Sequence, residues 1–408
     1  MASQGKERSR VLIGWELGGG LGHITRIAAI ARALIQRGYA VSLCLADLSQ
    51  VYDFVSHLPI AVYQAPVWRP GMRIERGPVC FSDILQHRGY RSAKGLFSLT
   101  SAWLSLVKKL QPHLLILDYA PTALLATRGL NIPKVLISSG FGELCPGQPD
   151  TCLRPWYPRS RELTEASEKF VVEVVNQVLK SRNVHPIRNV SDLYQADHIF
   201  LLTIPELDVT ENRTFATYLP PPKEEGNLPE TVWPEGEGPK IFAYIKQSSR
   251  FGLATLESIA EMKSNGLIFC PGLPRKTAEQ FHRPGLKVSS QPLNLKEIFA
   301  TADVVVCHAG KATVTHALLA GKPLLLIPEQ LEQLQTALRV EKSGAALLVR
   351  GKSTKAEKIQ DALSQLVTKP DFREASEALA DKYAALTRID TVATIADHCE
   401  KLMADAFS

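Results

Sequence analysis

Three stretches of this chain carry residue types that could do chemistry. The first is the turn His308-Ala309-Gly310, set between the β-branched run Val304 to Val306 and a helical pattern from Ala312 to Ala320 that Gly321 stops. A helix start carries unpaired N–H groups and about half a positive charge, so it suits a diphosphate. His308 could add a donor there and Lys311 a point charge. The second stretch is the glycine-rich turn of glycines 18, 19, 20 and 22, followed by His23, an imidazole that can take or give a proton. The third is HLLILDY, His113 to Tyr119, which places Asp118 at the carboxyl end of a buried strand, on the ligand-binding edge of a parallel sheet. Each has a plainer reading. Gly310 could serve only the tight turn, His308 could be a satisfied turn residue, Lys311 could be solvated, and Asp118 could cap the helix that begins near Pro121.

The elements around these residues alternate strand and helix. In the amino half, Val11 to Trp15 reads as a strand, Gly22 to Arg37 as a helix ended by Gly38, and Val41 to Leu45 as the next strand. Leu48 to Arg88 is irregular, with prolines 59, 66, 70 and 78 and the cluster Trp68, Arg69, Arg73 and Arg76. A helix over Tyr90 to Leu110, strands at His113 to Tyr119 and Lys134 to Ser138, a helix over Glu162 to Leu179 and a strand near Ile199 follow. The loop SSGFGELCPGQPDTCLRPWYPRSREL after Lys134 to Ser138 has the prolines and aromatics of an ordered loop or lid. Loops above a sheet's carboxyl edge are where specificity is built, so Trp68, Phe141 and Trp156 are the acceptor-binding candidates. The Pro- and Glu-rich run from 209 to 239, including LPPPKEEGNLPE, reads as a linker. A second array begins at Lys240 with strands at IFAYI, Leu267 to Cys270, Leu286 to Ser289, Val304 to Val306, Leu324 to Ile327 and Ala345 to Val349.

The residues His308, Gly310, Thr313, Gly321, Pro323, Pro328, Glu332, Gln333 and Ala337 stand in one register. That register resembles the nucleotide-sugar signature of inverting glycosyltransferases with the GT-B fold, the class of the UDP-glucosyltransferases and the bacterial antibiotic (macrolide-type) glycosyltransferases. The resemblance implies an α/β architecture of two Rossmann-like, doubly wound parallel-sheet domains facing an interdomain cleft. It implies an acceptor-binding domain over 1–208, a linker over 209–239, a donor-binding domain over 240–390 and a helix over 391–408 that packs back on the first domain. It makes His23 the general base, oriented by Asp118. It makes Gly20, Gly22, Gln291, His308, Gly310, Lys311, Thr313, Glu332 and Gln333 donor-binding residues, with Glu332 and Gln333 on the sugar hydroxyls. His316 stands where UDP-sugar members carry an acid that binds both ribose hydroxyls, and an imidazole can hardly accept from a diol as a carboxylate does. A dTDP-sugar therefore competes with a UDP-sugar as the donor.

The resemblance leads to metal-independent transfer of a hexose or deoxyhexose to an acceptor hydroxyl or other nucleophile, with no cofactor beyond the nucleotide-sugar co-substrate. The acceptor is expected to be a small molecule or lipid-linked. Three other readings stay open, one of them a binding module that keeps the fold without chemistry. Gly22, His23 and Arg26 make the Gly-His-x-x-Arg turn of some nucleotide-sugar hydrolases. The glycine-rich turn, with Asp47 about twenty residues on, could instead bind the dinucleotide of an NAD oxidoreductase, although it lacks the strict G-x-G-x-x-G order.

Composition bounds these readings. A chain of 408 residues suits two domains of roughly 200 residues each. With 45% hydrophobic and 22% charged residues it reads as globular, and a net charge of +6 is too mild to argue for nucleic acid. A polar amino terminus and the lack of a long apolar run point to a cytoplasmic chain without a transmembrane segment, with peripheral membrane contact left open by the basic-ended helix at Tyr90 to Leu110. Seven cysteines with no CxxC pairing read as buried thiols, and no spacing of metal ligands is evident.

Overall fold

The computed structural model describes residues 8–69, 76–210, 213, 215–223, 230–246, 252–291, 293–350 and 356–407. Pro70, Arg73, Pro292 and much of the expected linker lie outside them. The chain divides into two compact units, residues 1–202, 208–222 and 390–408 in one and 203–207 with 223–389 in the other. The expected boundary at 208 is therefore cut differently: 203–207 join the second unit, and the linker is shared, 209–222 with the first unit and 223–239 with the second.

The first unit has strands β1 (Arg10–Trp15), β2 (Ala40–Leu45), β3 (Ala61–Gln64), β4 (Leu114–Asp118), β5 (Lys134–Ser138), β6 (His198–Leu202) and β7 (Thr217–Leu219). They form one sheet in the order β3-β2-β1-β4-β5-β6-β7, with every pair parallel. Its helices are α1 (Leu21–Gln36), α2 (Val51–Val55), α3 (Phe81–Gln86), α4 (Ala93–Leu110), α5 (Pro121–Thr127) and α6 (Ser160–Ser181). All five residues of β4 are buried, as a strand covered on both faces requires. The sequence reading misses β3 and β7, and the reason is physical. Both are edge strands, short and partly exposed, so neither carries the apolar run that marks a central parallel strand.

The second unit has β8 (Lys240–Tyr244), β9 (Asn265–Phe269), β10 (Leu286–Ser289), β11 (Val304–Cys307), β12 (Leu324–Leu326) and β13 (Ala346–Leu348), parallel and in the order β10-β9-β8-β11-β12-β13. Its helices are α7 (Gly252–Glu261), α8 (Arg275–Gln280), α9 (Leu295–Thr301), α10 (Lys311–Leu319), α11 (Leu331–Lys342), α12 (Ala356–Thr368) and α13 (Pro370–Lys382). Apolar clusters cover both faces of this sheet, one built on Ile241, Ile268, Val306 and Leu325, the other on Phe242, Leu267, Val305 and Leu326. The last helix, α14 (Thr391–Phe407), groups with the first unit. Arg37 in the turn after α1 pairs with its Asp397 at 2.7 Å and Glu400 at 2.9 Å. Among the described residues no helix is long and apolar enough to cross a membrane.

Candidate functional site

In each unit the chain lays down two further strands outward from the first, then returns to the other side of that first strand. The order therefore reverses between β1 and β4 in one sheet and between β8 and β11 in the other. Ligands of open α/β sheets bind beyond the carboxyl ends of the strands at such a reversal.

At the first reversal, Trp15 ends β1 directly opposite Asp118, which ends β4. The turns that follow are tied together by Leu17 N–H donating to Tyr119 O at 3.0 Å. Tyr119 has φ 45, the left-handed region that a side chain rarely adopts. The plainer role for Asp118, capping α5, is taken by another acid. Glu16 Oε2 accepts Thr122 N–H at 2.8 Å and Ala123 N–H at 3.4 Å at the start of α5. Burial pushes the Glu16 carboxyl up to about 7 despite those bonds.

Asp118, fully buried, is left for the helix α1 side chains. His23 Nδ1 lies 3.0 Å from its Oδ2. Arg26, one turn on from His23 and hence on the same face, grips both carboxylate oxygens, Nε to Oδ2 at 2.6 Å and Nη2 to Oδ1 at 2.5 Å. Burial would raise the Asp118 carboxyl, but the Arg26 charge and then His23 outweigh it and hold it below the usual carboxylate range. His23 is stacked on Trp15, ring centroids 4.8 Å apart and 11° from parallel. Its other nitrogen faces the glycine-rich turn, where a methyl added to Gly18 (φ 87) would sit 2.6 Å from Nε2. Arg26 Nη2 also lies 2.7 Å from His23 Nδ1. The Nδ1–H tautomer donates to Asp118 and leaves the Nε2 lone pair as a base; the other accepts from Arg26 and puts the proton on Nε2.

A second buried acid stands in the loop after β5. Glu143 Oε2 accepts from Ser138 Oγ, its Oε1 has no hydrogen-bond partner among the described residues, and burial pushes the carboxyl up to about 8. Neither Glu143 nor Glu16 is singled out by the sequence. Arg26 is, in the Gly-His-x-x-Arg turn, but its grip on Asp118 is not.

The acceptor candidates go to separate places. Phe141 is 6% exposed and packs edge-on against Phe81 and Tyr119, the residue after Asp118. Trp68 is half-buried over Gly89 and Gly95 at the start of α4, and Trp156 is half exposed. Gly20 caps α1 with φ 92 and Gly22 lies in its first turn, with nothing within 4 Å of a methyl added at either. Asp47 of the dinucleotide reading is exposed and accepts Ser49 N–H at 2.9 Å, which lowers its pKa.

At the second reversal, β11 ends at Cys307 opposite Tyr244 of β8. Gly310 is the N-cap of α10, with no side-chain cap and an ordinary φ of −63. The strained residue of this turn is Ala309, φ 59. Among the described residues a methyl at Gly310 would meet nothing within 4 Å. Thr313 follows in the first turn, half-buried.

Two expectations for this turn are corrected. His308 is not poised to donate to a phosphate: Nε2 accepts Lys246 N–H at 3.1 Å and Nδ1 faces Ile327 O at 3.2 Å, which fixes the neutral Nδ1–H tautomer, and burial pushes its pKa down. Lys311 is not a free point charge, since it is 5% exposed and donates to Leu207 O at 2.9 Å. Gln333 is likewise occupied, its Oε1 accepting Glu329 N–H at 2.8 Å and Gln330 N–H at 3.2 Å in the capping box of α11. Glu332 lies beside it in the first turn of α11, half-buried. His316 sits in the last turn of α10, its ring stacked with Phe299 at 6.5 Å. Gln291 is exposed, just past edge strand β10, and donates its N–H to Ser289 Oγ at 3.2 Å. Among the described residues no group of three or more His, Cys, Asp or Glu is placed to hold a metal ion. A hollow of about 540 Å³ lined by Arg128, Arg188, Asp192 and Phe215 lies elsewhere in the first unit and includes none of the expected residues.

Residues 273–390 match the model of the Glycosyltransferase family 28 C-terminal domain. The second unit carries a glycosyltransferase domain. The solved structure of the spinosyn rhamnosyltransferase SpnG superposes with a TM-score of 0.69 at 15% identity, covering 97% of this chain and 100% of that one. The calicheamicin glycosyltransferase CalG4 superposes with 0.71 at 15% identity, covering 97% and 98%. The chain thus has the two-sheet GT-B fold of the antibiotic glycosyltransferases. In sequence, a PGL/p-HBAD biosynthesis rhamnosyltransferase of Mycobacterium bovis is 33% identical over 84 residues, 21% of this chain and 19% of that protein. An N-acetylglucosamine transferase of Pseudomonas putida, acting on a pyrophosphoryl-undecaprenol acceptor by its name, is 29% identical over 129 residues, 30% of this chain and 35% of that protein. The match therefore spans about a fifth to a third of these relatives' length.

Proposed function

We propose that this GT-B chain is a glycosyltransferase that moves a hexose or deoxyhexose from a UDP- or dTDP-sugar to an acceptor hydroxyl with inversion, without a metal ion. The observation that carries the reading is the His23–Asp118–Arg26 cluster at the β1/β4 reversal, with α5 capped by Glu16 so that Asp118 serves the imidazole. In the Nδ1–H tautomer, His23 Nε2 takes the proton of the acceptor hydroxyl as the oxygen attacks the anomeric carbon. Asp118 then stabilises the imidazolium. The departing nucleoside diphosphate gains negative charge, which the N–H groups at the start of α10 meet. His308 contributes by holding that turn to Lys246 and Ile327 rather than by touching the phosphate.

A dTDP-sugar donor fits His316, and a solved structure of SpnG in complex with thymidine diphosphate shares the fold, with a TM-score of 0.65 at 16% identity and 92% and 96% coverage. The named relatives act on both lipid-linked and small aglycone acceptors, and we propose the acceptor from those two classes. Arg26 favours a second reading, since it places all three residues of the Gly-His-x-x-Arg turn of certain nucleotide-sugar hydrolases at this site. Incubation with labelled donor and no acceptor separates the two. A hydrolase turns over at full rate, whereas a transferase releases sugar to water only slowly.

A further inference from the structure

Two of the seven cysteines, Cys80 and Cys152, stand directly opposite each other in an isolated antiparallel bridge, although 72 positions apart in the chain. The flanking hydrogen bond runs from Leu153 N–H to Val79 O at 2.7 Å, one residue outside the pair on each side. That makes it the pairing in which the opposed Cα atoms approach to about 4.5 Å and the side chains share one face. A disulfide requires Cα atoms roughly 4.4–6.8 Å apart.

Both partners are held in register by rigid neighbours. On one side, Asp150 accepts Phe81 N–H at 3.2 Å and Ser82 N–H at 2.7 Å, fastening the loop after β5 to the start of α3. On the other, Asp83 of α3 accepts from Val79 N–H at 2.8 Å, from Ser167 Oγ at 2.8 Å and from both Arg76 guanidinium nitrogens. The remaining cysteines, Cys44, Cys145, Cys270, Cys307 and Cys399, are all buried and occupy other elements. No metal-ligand cluster among the described residues competes for the pair.

We propose that Cys80 and Cys152 are a dithiol–disulfide site, oxidised by small-molecule disulfides of the glutathione type, that staples the loop between β5 and α6 to the start of α3. The two thiols differ in access, which sets the order of events. Cys80 is fully buried, and burial with the nearby Asp150 and Asp83 carboxylates pushes its thiol up, so it stays protonated. Cys152 is partly exposed, so its thiolate attacks the small disulfide first and forms a mixed disulfide, releasing one small thiol. Cys80 then attacks the Cys152 sulfur, and its proton passes to the expelled sulfur, which leaves as the second small thiol. In balance, two protein thiols and one small disulfide give one protein disulfide and two small thiols. The loop so fastened contains Phe141 and Glu143, and the inference stands whether or not the chain transfers sugar.

The test is oxidation of the full chain with excess oxidised glutathione near pH 8, read by peptide mapping without reduction and by thermal melting. The expected result is a linked peptide pair containing Cys80 and Cys152, the loss of two titratable thiols, and a melting point raised by roughly 5 °C and restored by dithiothreitol. Cys152→Ser should abolish both the link and the shift, while Cys80→Ser, if it folds, should stop at glutathione on Cys152. A map showing Cys80 still reduced after exhaustive oxidation, or another cysteine joined to Cys152, overturns the proposal.

Discussion

Removing the Asp118 carboxylate tests the physical account of the amino-terminal site without any knowledge of the substrate. Asp118 is fully buried, and the Arg26 side chain is 11% exposed and bonded to both of its oxygens. Stripping one partner from such a pair leaves a buried charge uncompensated, at a cost of about 3–5 kcal/mol. Asp118→Ala and Arg26→Ala should each show a loss of that order at pH 7. The double variant, with no orphaned charge, should lose less than their sum by at least about 2 kcal/mol. The sign with pH follows from the lowered Asp118 pKa. Its stabilisation is complete above the unfolded value near 4 and disappears as pH falls through the lower folded value, so the Asp118→Ala cost should shrink at strongly acid pH. Urea titration followed by tryptophan fluorescence suits the measurement, because Trp15, Trp68, Trp103 and Trp156 all lie in the first unit. A cycle additive to within about 0.5 kcal/mol, or an Asp118→Ala cost below about 1 kcal/mol, would refute the reasoning.

Glu143 gives the opposite pH dependence: with its pKa raised to about 8, its contribution is full below about pH 4.5 and is lost as pH rises through 8. Glu143→Gln should therefore flatten the decline in stability between pH 5 and 9 by up to about 4 kcal/mol, measured by urea titration at both ends; an unchanged slope would contradict the assignment. Gly18→Ala forces a side chain into a positive φ and a methyl against His23 Nε2, so it should cost roughly 1–3 kcal/mol and shift the His23 ring, visible in its NMR resonances. Isothermal titration with UDP and dTDP addresses the donor: with His316 where a ribose-binding acid would stand, UDP should bind no more than about tenfold more tightly, a limit of about 1.4 kcal/mol.

The central strands were legible because parallel strands covered on both faces must be nearly continuous apolar runs, as LLILD and VVVC are. The edge strands β3 and β7 carry no such run, and their pairing exists only once the sheet does. At the site, the order His23 then Asp118 could be read, but local pattern could not show that Glu16, not Asp118, caps α5. That cap joins residues more than a hundred positions apart, beyond the reach of local pattern. His308 and Lys311 were misread for the same reason. Their partners, Lys246 N–H and Leu207 O, arrive from distant segments and convert apparent ligand contacts into internal ones. Ala309 shows the limit most plainly, since a glycine stands beside it and yet the alanine takes the positive φ.

The most direct test of the central claim is the rate of nucleoside diphosphate release from dTDP- and UDP-sugars, with and without phenolic, polyketide and lipid-linked hydroxyl acceptors, for the intact protein and for His23→Ala. The account predicts release that depends on an acceptor and falls at least about a hundredfold in His23→Ala, with nucleotide affinity unchanged. Release that continues undiminished in His23→Ala would contradict it.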